Sequence, residues 1–244
     1  MRRESYREKA VVIRSYDFGE ADRIIVFLTQ KHGLIRGVAK GVRRAKSRFG
    51  SRLQPFVELD VQLYAGRSLE SVTAADTVRF FGSGIIDNLE CYSAACAVLE
   101  AAERLAQSSD YGDVGLYALV VDTLAKLQTA TEPTLHLDAF LLQAMDLAGW
   151  APSLFHCSQC QAPGPHHVFH PAPGGAVCVH CRPPGSADVD AEVLHVMWLL
   201  LHRQFGQAAQ LAAGHGEAVH RLTKAHFHWH VEKKLASLNV LDQA

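Results

Sequence analysis

Four cysteines in the second half of the chain have the spacing of a metal site. Cys157 and Cys160 form one Cys-x2-Cys pair, and Cys178 and Cys181 form another after 17 intervening residues. Each pair can place two thiolates on one side of a tight turn, and two pairs can close a tetrahedron around zinc. Because four sulfur ligands leave no open position for water, the pattern predicts one structural Zn²⁺ per chain.

The segment around these cysteines, about residues 152–186, is rich in proline and glycine. Such a segment has almost no apolar core, so zinc should supply much of its folding free energy. His156, His170 and His180 lie near the cysteines in sequence, so one of them could replace a cysteine as a ligand. A zinc deaminase is excluded, because its signature is a His-x-Glu upstream of a Pro-Cys-x-x-Cys, and neither cysteine pair here is preceded by a proline.

A second group of residues has the chemistry of a polyanion-binding surface. Seven cations occupy the 17 positions from Arg36 to Arg52, and no acid interrupts them before Glu58. Lys and Arg neutralise phosphates, and an aromatic ring can stack on an unpaired base. A solvated basic loop is the simpler interpretation of such a run. The residues predicted to bind nucleic acid are Arg36, Lys40, Arg43, Arg44, Lys46, Arg48, Phe49 and Arg52.

Short strands flank the basic segment and must position it. β-Branched and alternating apolar residues predict strands at 9–16, 23–29, 34–40, 56–64 and 69–79. Five short strands in about 70 residues suit a small barrel such as the OB fold, which binds oligonucleotides on one face and its loops.

From about Asp87 the apolar pattern takes the period of a helix, with Asp87 as the expected N-terminal cap. Helices are predicted at 88–106, 113–128, 133–149, 190–205 and 216–238, with a loop or short helix at 206–216. The fold class is therefore α+β: a five-stranded OB-fold barrel at residues 1–80 precedes an α-helical bundle at 81–244. The four-cysteine zinc module is inserted into that bundle.

The charge is divided unevenly along the chain. Residues 1–80 hold 16 Lys+Arg and 9 Asp+Glu, whereas residues 81–244 hold 8 and 16. This asymmetry indicates that only the first part meets a polyanion. The N-terminus has no signal-peptide pattern, and the most apolar stretch, Val196–Leu201, is too short to span a bilayer. We therefore expect a cytoplasmic protein with no membrane association.

Two alternative functions remain open at this point. Asp17, Glu20 and Asp22 form an acidic cluster that could hold Mg²⁺ in a metal-dependent nuclease, although a turn of solvated carboxylates is the simpler interpretation. An RNA-associated OB-fold protein is the other alternative. The sequence contains no P-loop, so nucleotide hydrolysis at such a motif is not expected.

Cations near the C-terminus suggest a protein-binding groove. An apolar floor bordered by cations suits a short acidic and hydrophobic peptide. The alternative is that the cations are solvated and the apolar residues belong to the core. The predicted cations are Arg203, Arg221 and Lys224, with Lys233 and Lys234 beyond them, and the apolar residues beside them are Val196, Trp198, Leu199 and Leu222.

The chain resembles the RecO family of bacterial recombination and DNA-repair proteins. The motifs that carry this resemblance are Glu20-Ala21-Asp22, Thr29 with Gly33, Ala39-Lys40-Gly41, Arg43-Arg44, Ser47, Leu53-Gln54-Pro55-Phe56, Ala148-Gly149-Trp150-Ala151-Pro152 and the two cysteine pairs. The resemblance runs from about residue 9 to 181, with a compatible helical remainder.

The resemblance implies an OB fold, a helical domain with a zinc-binding insert and a non-enzymatic function. RecO-like proteins bind single- and double-stranded DNA and anneal complementary strands. With RecR they help load the RecA recombinase onto DNA coated by single-strand-binding protein. The C-terminal tail of single-strand-binding protein is acidic and hydrophobic, which makes it the expected occupant of the groove.

Overall fold

The computed structural model describes residues 5–107 and 114–231, which belong to two compact units. The first unit ends at Thr129 and the second begins at Ala130. The first unit holds five strands and two helices, so the two helices between residue 80 and Thr129 belong to the same unit as the barrel. The boundary expected after residue 80 stays a prediction. No helix of the described residues is long and apolar enough to cross a membrane.

The strands of the first unit form a closed barrel. They are β1 (Ser5–Phe18), β2 (Asp22–Thr29), β3 (Gly33–Ala39), β4 (Val57–Tyr64) and β5 (Glu70–Phe80). They pair in the order β1-β2-β3-β5-β4, and β4 pairs back with β1. This arrangement confirms the predicted five-stranded N-terminal barrel.

Strand β1 is longer than predicted because it serves two neighbours. Its first half pairs with β4 and its second half with β2, and the register shifts between Val12 and Arg14. Side chains that alternate inward along the strands fill the barrel. The core residues are Ala10, Val12, Ile25, Phe27, Ile35, Ala39, Val42, Phe49, Leu53, Val57, Leu59, Val61, Leu63, Val72 and Ala75.

Strands β3 and β5 pair in parallel over a short stretch, Gly37 with Glu70 and Val38 with Ser71. A Cβ atom at Gly37 would lie 2.9 Å from Cγ2 of Val72 and 3.3 Å from the ring of Phe27. A side chain at position 37 would therefore force Val72 to shift within the core.

Two helices, α1 (Leu89–Gln107) and α2 (Val114–Leu127), pack on the outside of the barrel. The side chain of Asn88, rather than the predicted Asp87, caps α1 by accepting the N–H of Cys91 at 3.0 Å. An ion pair of 3.0 Å joins Arg14 on β1 to Glu103 on α1.

A buried carboxylate fixes α2 to the barrel. Glu58 is 3% exposed, and it accepts hydrogen bonds from Arg79 at 2.6 Å and from the hydroxyl of Tyr117 at 2.8 Å. Burial, together with the bond to Glu58, raises the pKa of Tyr117. Removing either donor would leave a buried charge short of a partner.

The second unit contains the helices α3 (Pro133–Leu147), α4 (Ala191–Leu201), α5 (Phe205–Leu211) and α6 (Gly216–His230). Between α3 and α4 lies a small antiparallel sheet of β6 (Val168–His170), β7 (Gly175–Ala176) and β8 (Ala187–Asp188). Asp138 on α3 and His220 on α6 join across the bundle at 2.8 Å, and burial raises the pKa of Asp138. The helical fold with an inserted cysteine module agrees with the prediction.

Candidate metal centre and nucleic-acid interface

The four predicted cysteines meet at one point in the second unit. The sulfur atoms of Cys157, Cys160, Cys178 and Cys181 all lie within 4.8 Å of one another. The sulfurs of Cys160 and Cys178 are 3.7 Å apart. Zn–S bonds of about 2.3 Å in a tetrahedron give sulfur–sulfur edges of about 3.8 Å, so this pair has the spacing that a zinc ion requires.

Two turns and the small sheet hold the cysteines in place. The N–H of Cys157 bonds the carbonyl of Ala162 at 2.8 Å, and the N–H of Cys181 bonds the carbonyl of Cys178 at 3.1 Å. The turns are tied to the sheet because Val177 donates its N–H to the carbonyl of Val168 at 3.0 Å. The apolar cluster below is small, with Cys157, Val168 and Val177 as its buried members. The module therefore gains little stability from its own core.

The sulfur atoms influence one another strongly. Burial alone would raise the pKa of Cys157, but N–H groups of Cys160, Cys178 and Gln159 donate to its sulfur and lower the pKa to about 6. The sulfurs of Cys178 and Cys160 raise the pKa of Cys181 to about 12. Four adjacent thiolates repel one another, and a divalent cation at their centre removes that repulsion.

The nearby histidines do not belong to this group of ligands. The four sulfurs form the group without His156, His170 or His180. His170 instead accepts the N–H of Ala172 at 3.1 Å. The arrangement can hold one metal ion with four sulfur ligands.

The basic segment follows β3 and lies at the surface of the barrel. All seven predicted cations are exposed: Arg36, Lys40, Arg43, Arg44, Lys46, Arg48 and Arg52. Apart from Arg36 on β3, they lie in successive turns closed by local hydrogen bonds, such as Ser47 N–H to the carbonyl of Arg44 at 2.9 Å. The chain therefore presents a dense positive surface on an ordered backbone.

The acidic cluster anchors this basic segment. Asp17 forms ion pairs with Arg23 at 2.9 Å and with Arg43 at 3.3 Å. The hydrogen bond from Arg23, with the charge of Arg43, lowers the pKa of Asp17. Asp22 accepts the N–H of Gly41 at 2.7 Å, and Gly41 has a φ of 66°, which favours glycine.

These contacts give two of the three acids a structural role. Glu20 lies exposed in the turn between β1 and β2. Within residues 5–107 and 114–231, the cysteines are the one group of three or more acidic, His or Cys side chains close enough to hold a metal. The described geometry therefore does not favour the nuclease alternative.

Phe49 requires a correction. Its ring was predicted to stack on an unpaired base, but it is 1% exposed and belongs to the barrel core. The guanidinium of Arg48 covers the ring, 4.8 Å from its centroid. A base cannot reach a face that the core and Arg48 already occupy.

The predicted protein-binding groove also requires a correction. Its apolar floor is core, because Val196, Leu199 and Leu222 are at most 3% exposed, and Trp198 is half-buried. Among the cations, Arg203 and Arg221 are exposed and Lys224 is half-buried. Lys233 and Lys234 lie outside the described residues.

Beside Trp198 lies a concave surface that was not predicted from the sequence. It is a cleft of about 640 Å³ between the cysteine module and the first turns of α4. Two segments that lie some 30 residues apart build it, so no local pattern indicates it. The lining residues are Leu154, Phe155, His156, Pro165, His166, Ala191, Glu192, Leu194, His195 and Trp198.

Comparison with protein families accounts for both units. Residues 1–81 match the model described as "Recombination protein O N terminal", and residues 86–239 match "Recombination protein O C terminal". Together the two models cover nearly the whole chain and both regions discussed above. The two matches support a role in DNA repair and recombination. The chain belongs to the recombination protein O (RecO) family.

Proposed function

We propose that this protein is a non-enzymatic recombination mediator that binds single- and double-stranded DNA and anneals complementary strands. In this proposal it also helps load the RecA recombinase onto DNA coated by single-strand-binding protein. The observation that carries the proposal is the run of seven exposed cations, one on β3 and six on the turns that follow it, in an OB-type barrel. Such a surface neutralises phosphates without reading sequence.

The proposed annealing mechanism is electrostatic. Two complementary strands repel each other because both carry a phosphate at every nucleotide. A positive surface that contacts both strands screens this repulsion and raises their encounter rate. The step makes and breaks no covalent bond, so it needs neither ATP nor a divalent metal.

Strand-annealing kinetics test the proposal directly. We expect the full-length protein to accelerate annealing of labelled oligonucleotides without ATP, and high salt to suppress the effect. The double variant Arg43→Glu, Arg44→Glu should lose most of the acceleration. A matched control is Lys31→Glu, Arg67→Glu, which changes the same charge on exposed cations in other turns of the barrel.

The salt dependence of single-strand affinity identifies the contacts. If about five phosphates are neutralised, log K against log salt has a slope of about −3.5, and losing two contacts changes it to about −2.1. Equal affinity and slope in the Arg43→Glu, Arg44→Glu variant and the wild type would move the DNA site elsewhere.

The two alternatives are separated by simple assays. Incubation of labelled DNA with Mg²⁺ or Mn²⁺ would reveal cleavage by a nuclease, and Asp17→Asn should abolish it if the acidic cluster were responsible. Competition between RNA and DNA oligonucleotides of one sequence would reveal an RNA-binding protein. We expect the DNA to stay intact, and we expect the protein to bind DNA at least as tightly as RNA.

We propose that the cysteine group holds one structural Zn²⁺. The 3.7 Å sulfur separation and the small core of the module support this assignment. Metal analysis of purified protein should find about one zinc per chain, as one tetrahedral site predicts. Reduced, folded protein without metal or affinity for zinc would contradict the assignment.

We propose two protein partners, RecR and the C-terminal tail of single-strand-binding protein. For the tail, Arg203, Arg221 and Lys224 supply positive charge, and the cleft beside Trp198 supplies apolar surface. Titration of a fluorescent tail peptide should show weaker binding to Trp198→Ala and to Arg203→Ala. Unchanged binding in both variants would place the tail elsewhere. Co-sedimentation with RecR tests the other partner.

A further inference from the structure

Two aromatic side chains stand exposed at the end of β1. Tyr16 is 42% exposed and Phe18 is 48% exposed. Since side chains alternate along a strand, both rings lie on one face of the β1–β2 hairpin, and Asp17 between them lies on the other. Asp17 is engaged there with Arg23 and Arg43.

The register of the barrel shows which face the rings occupy. Tyr16 pairs with Ile24 and Ile24 pairs with Val38, so these side chains share the outer face. The inner face is identified by Ile25 and Ala39, which belong to the core. The rings therefore stand on the outside of the three-stranded sheet β1–β2–β3.

Two of the proposed DNA-binding cations border this same surface. Arg36 lies two residues before Val38, so it projects from the outer face of β3 and is exposed. Phe18 pairs with Asp22, whose carboxylate accepts the N–H of Gly41. Lys40 directly precedes Gly41 in the chain, so it follows β3 into the turn that Asp22 holds.

Single exposed aromatic residues are common on protein surfaces. This pair differs because it stands beside cations that complement a phosphate backbone. Phe49, the ring expected from the sequence to stack on a base, is buried and cannot do so. Aromatic rings next to a basic track are the means by which proteins hold unpaired bases.

We propose that Tyr16 and Phe18 form the base-stacking surface for single-stranded DNA. The inference rests on the DNA-binding function proposed above and adds a source of preference for single strands. In a duplex the base faces are already stacked, so these rings can contribute only where bases are unpaired. Arg36 and Lys40 would hold the phosphates of the same strand.

Equilibrium binding to a single-stranded oligonucleotide and to the corresponding duplex tests this inference in the full-length protein. We expect Tyr16→Ala and Phe18→Ala each to weaken single-strand binding by about five- to 160-fold, the range for loss of one base–aromatic stack. Duplex affinity and the salt slope should stay at their wild-type values, because neither variant removes a charge.

Three controls make the result specific. Tyr16→Phe keeps the ring and should retain single-strand affinity. Tyr64→Ala removes an exposed ring from β4 of the same barrel, at 38% exposure, and should bind like the wild type. Thermal melting of each variant verifies folding, and Phe18→Leu provides a second variant that preserves apolar volume.

The outcomes are distinct. Single-strand affinity unchanged in both alanine variants, with the wild-type salt slope intact, would overturn the inference and leave the proposed function in place. Equal losses of affinity for single strands and for duplex would also overturn it. The loss of a ring that stacks only on unpaired bases cannot weaken duplex binding. A wild-type protein that bound no DNA would instead overturn the proposed function.

Discussion

Replacing Phe49 separates a core role from a base-stacking role more sharply than any other single change. The ring is 1% exposed, and the guanidinium of Arg48 lies 4.8 Å from its centroid. Truncating a buried phenylalanine to alanine costs about 3–5 kcal/mol. Loss of the cation–π contact adds about 0.5–1 kcal/mol at a surface position. Phe49→Ala should thus destabilise the barrel by about 3.5–6 kcal/mol.

The positions of the tryptophans allow the effect to be assigned to one unit. All three tryptophans, Trp150, Trp198 and Trp229, lie after residue 130. Tryptophan fluorescence therefore follows urea unfolding of the second unit, whereas far-ultraviolet circular dichroism follows both. We expect Phe49→Ala to advance the circular-dichroism transition and to leave the tryptophan transition in place.

Phe49→Leu provides the matched comparison. Leucine retains most of the buried volume, so this variant should cost less than about 1.5 kcal/mol and keep its affinity for single-stranded DNA. If the ring instead stacked on a base, Phe49→Leu would lower that affinity about fivefold or more at unchanged stability. That second pattern would refute the assignment of Phe49 to the core.

Asp17→Asn should free Arg43 to contact a phosphate, so the salt slope of single-strand binding should steepen by about 0.7. The control Asp60→Asn removes the same charge from the ion pair with Arg7 and should leave the slope unchanged. Fluorescence anisotropy at several salt concentrations measures both slopes. Removal of the proposed Zn²⁺ with a chelator should expose the cysteines to a thiol reagent and lower the melting temperature of the second unit, while the proposed single-strand affinity of the barrel persists. Burial lowers the pKa of His226 from 6.5 to about 4, so the unfolded state binds more protons between these values. Stability should be fully present above about pH 6.5 and fall by up to about 3 kcal/mol towards pH 4, and urea titrations of His226→Gln should show a shallower fall.

Local patterns were sufficient where the chemistry is local. The cysteine pairs are recognisable because each turn fixes its own two thiolates, and the alternation of Val57–Tyr64 reports a half-buried strand. The helix start was displaced by one residue, from Asp87 to Asn88, since either side chain can cap.

Tertiary packing decided the remainder. Phe49 sits among cations in sequence, yet its ring is buried with the barrel core. In α4 apolar residues surround the helix, so the pattern could not tell which of Val196, Trp198 and Leu199 reach the surface. The cleft beside Trp198 arises where distant segments meet, and periodicity within one segment carries no information about it.

The short parallel contact between β3 and β5 has a consequence for hydrogen exchange. Only Gly37 with Glu70 and Val38 with Ser71 join these strands, whereas the other neighbours pair along most of their length. Arg48 adds a hydrogen bond to this pairing, which we call the β3–β5 seam, because its guanidinium donates to the carbonyl of Val72 on β5 at 3.5 Å. The amides of this seam should therefore exchange with deuterium before those of β1 and β2. A phosphate that bound Arg48 and broke its contact with Val72 would weaken the pairing of β3 with β5. Faster hydrogen exchange of the amides in this pairing would then report that the basic surface is occupied.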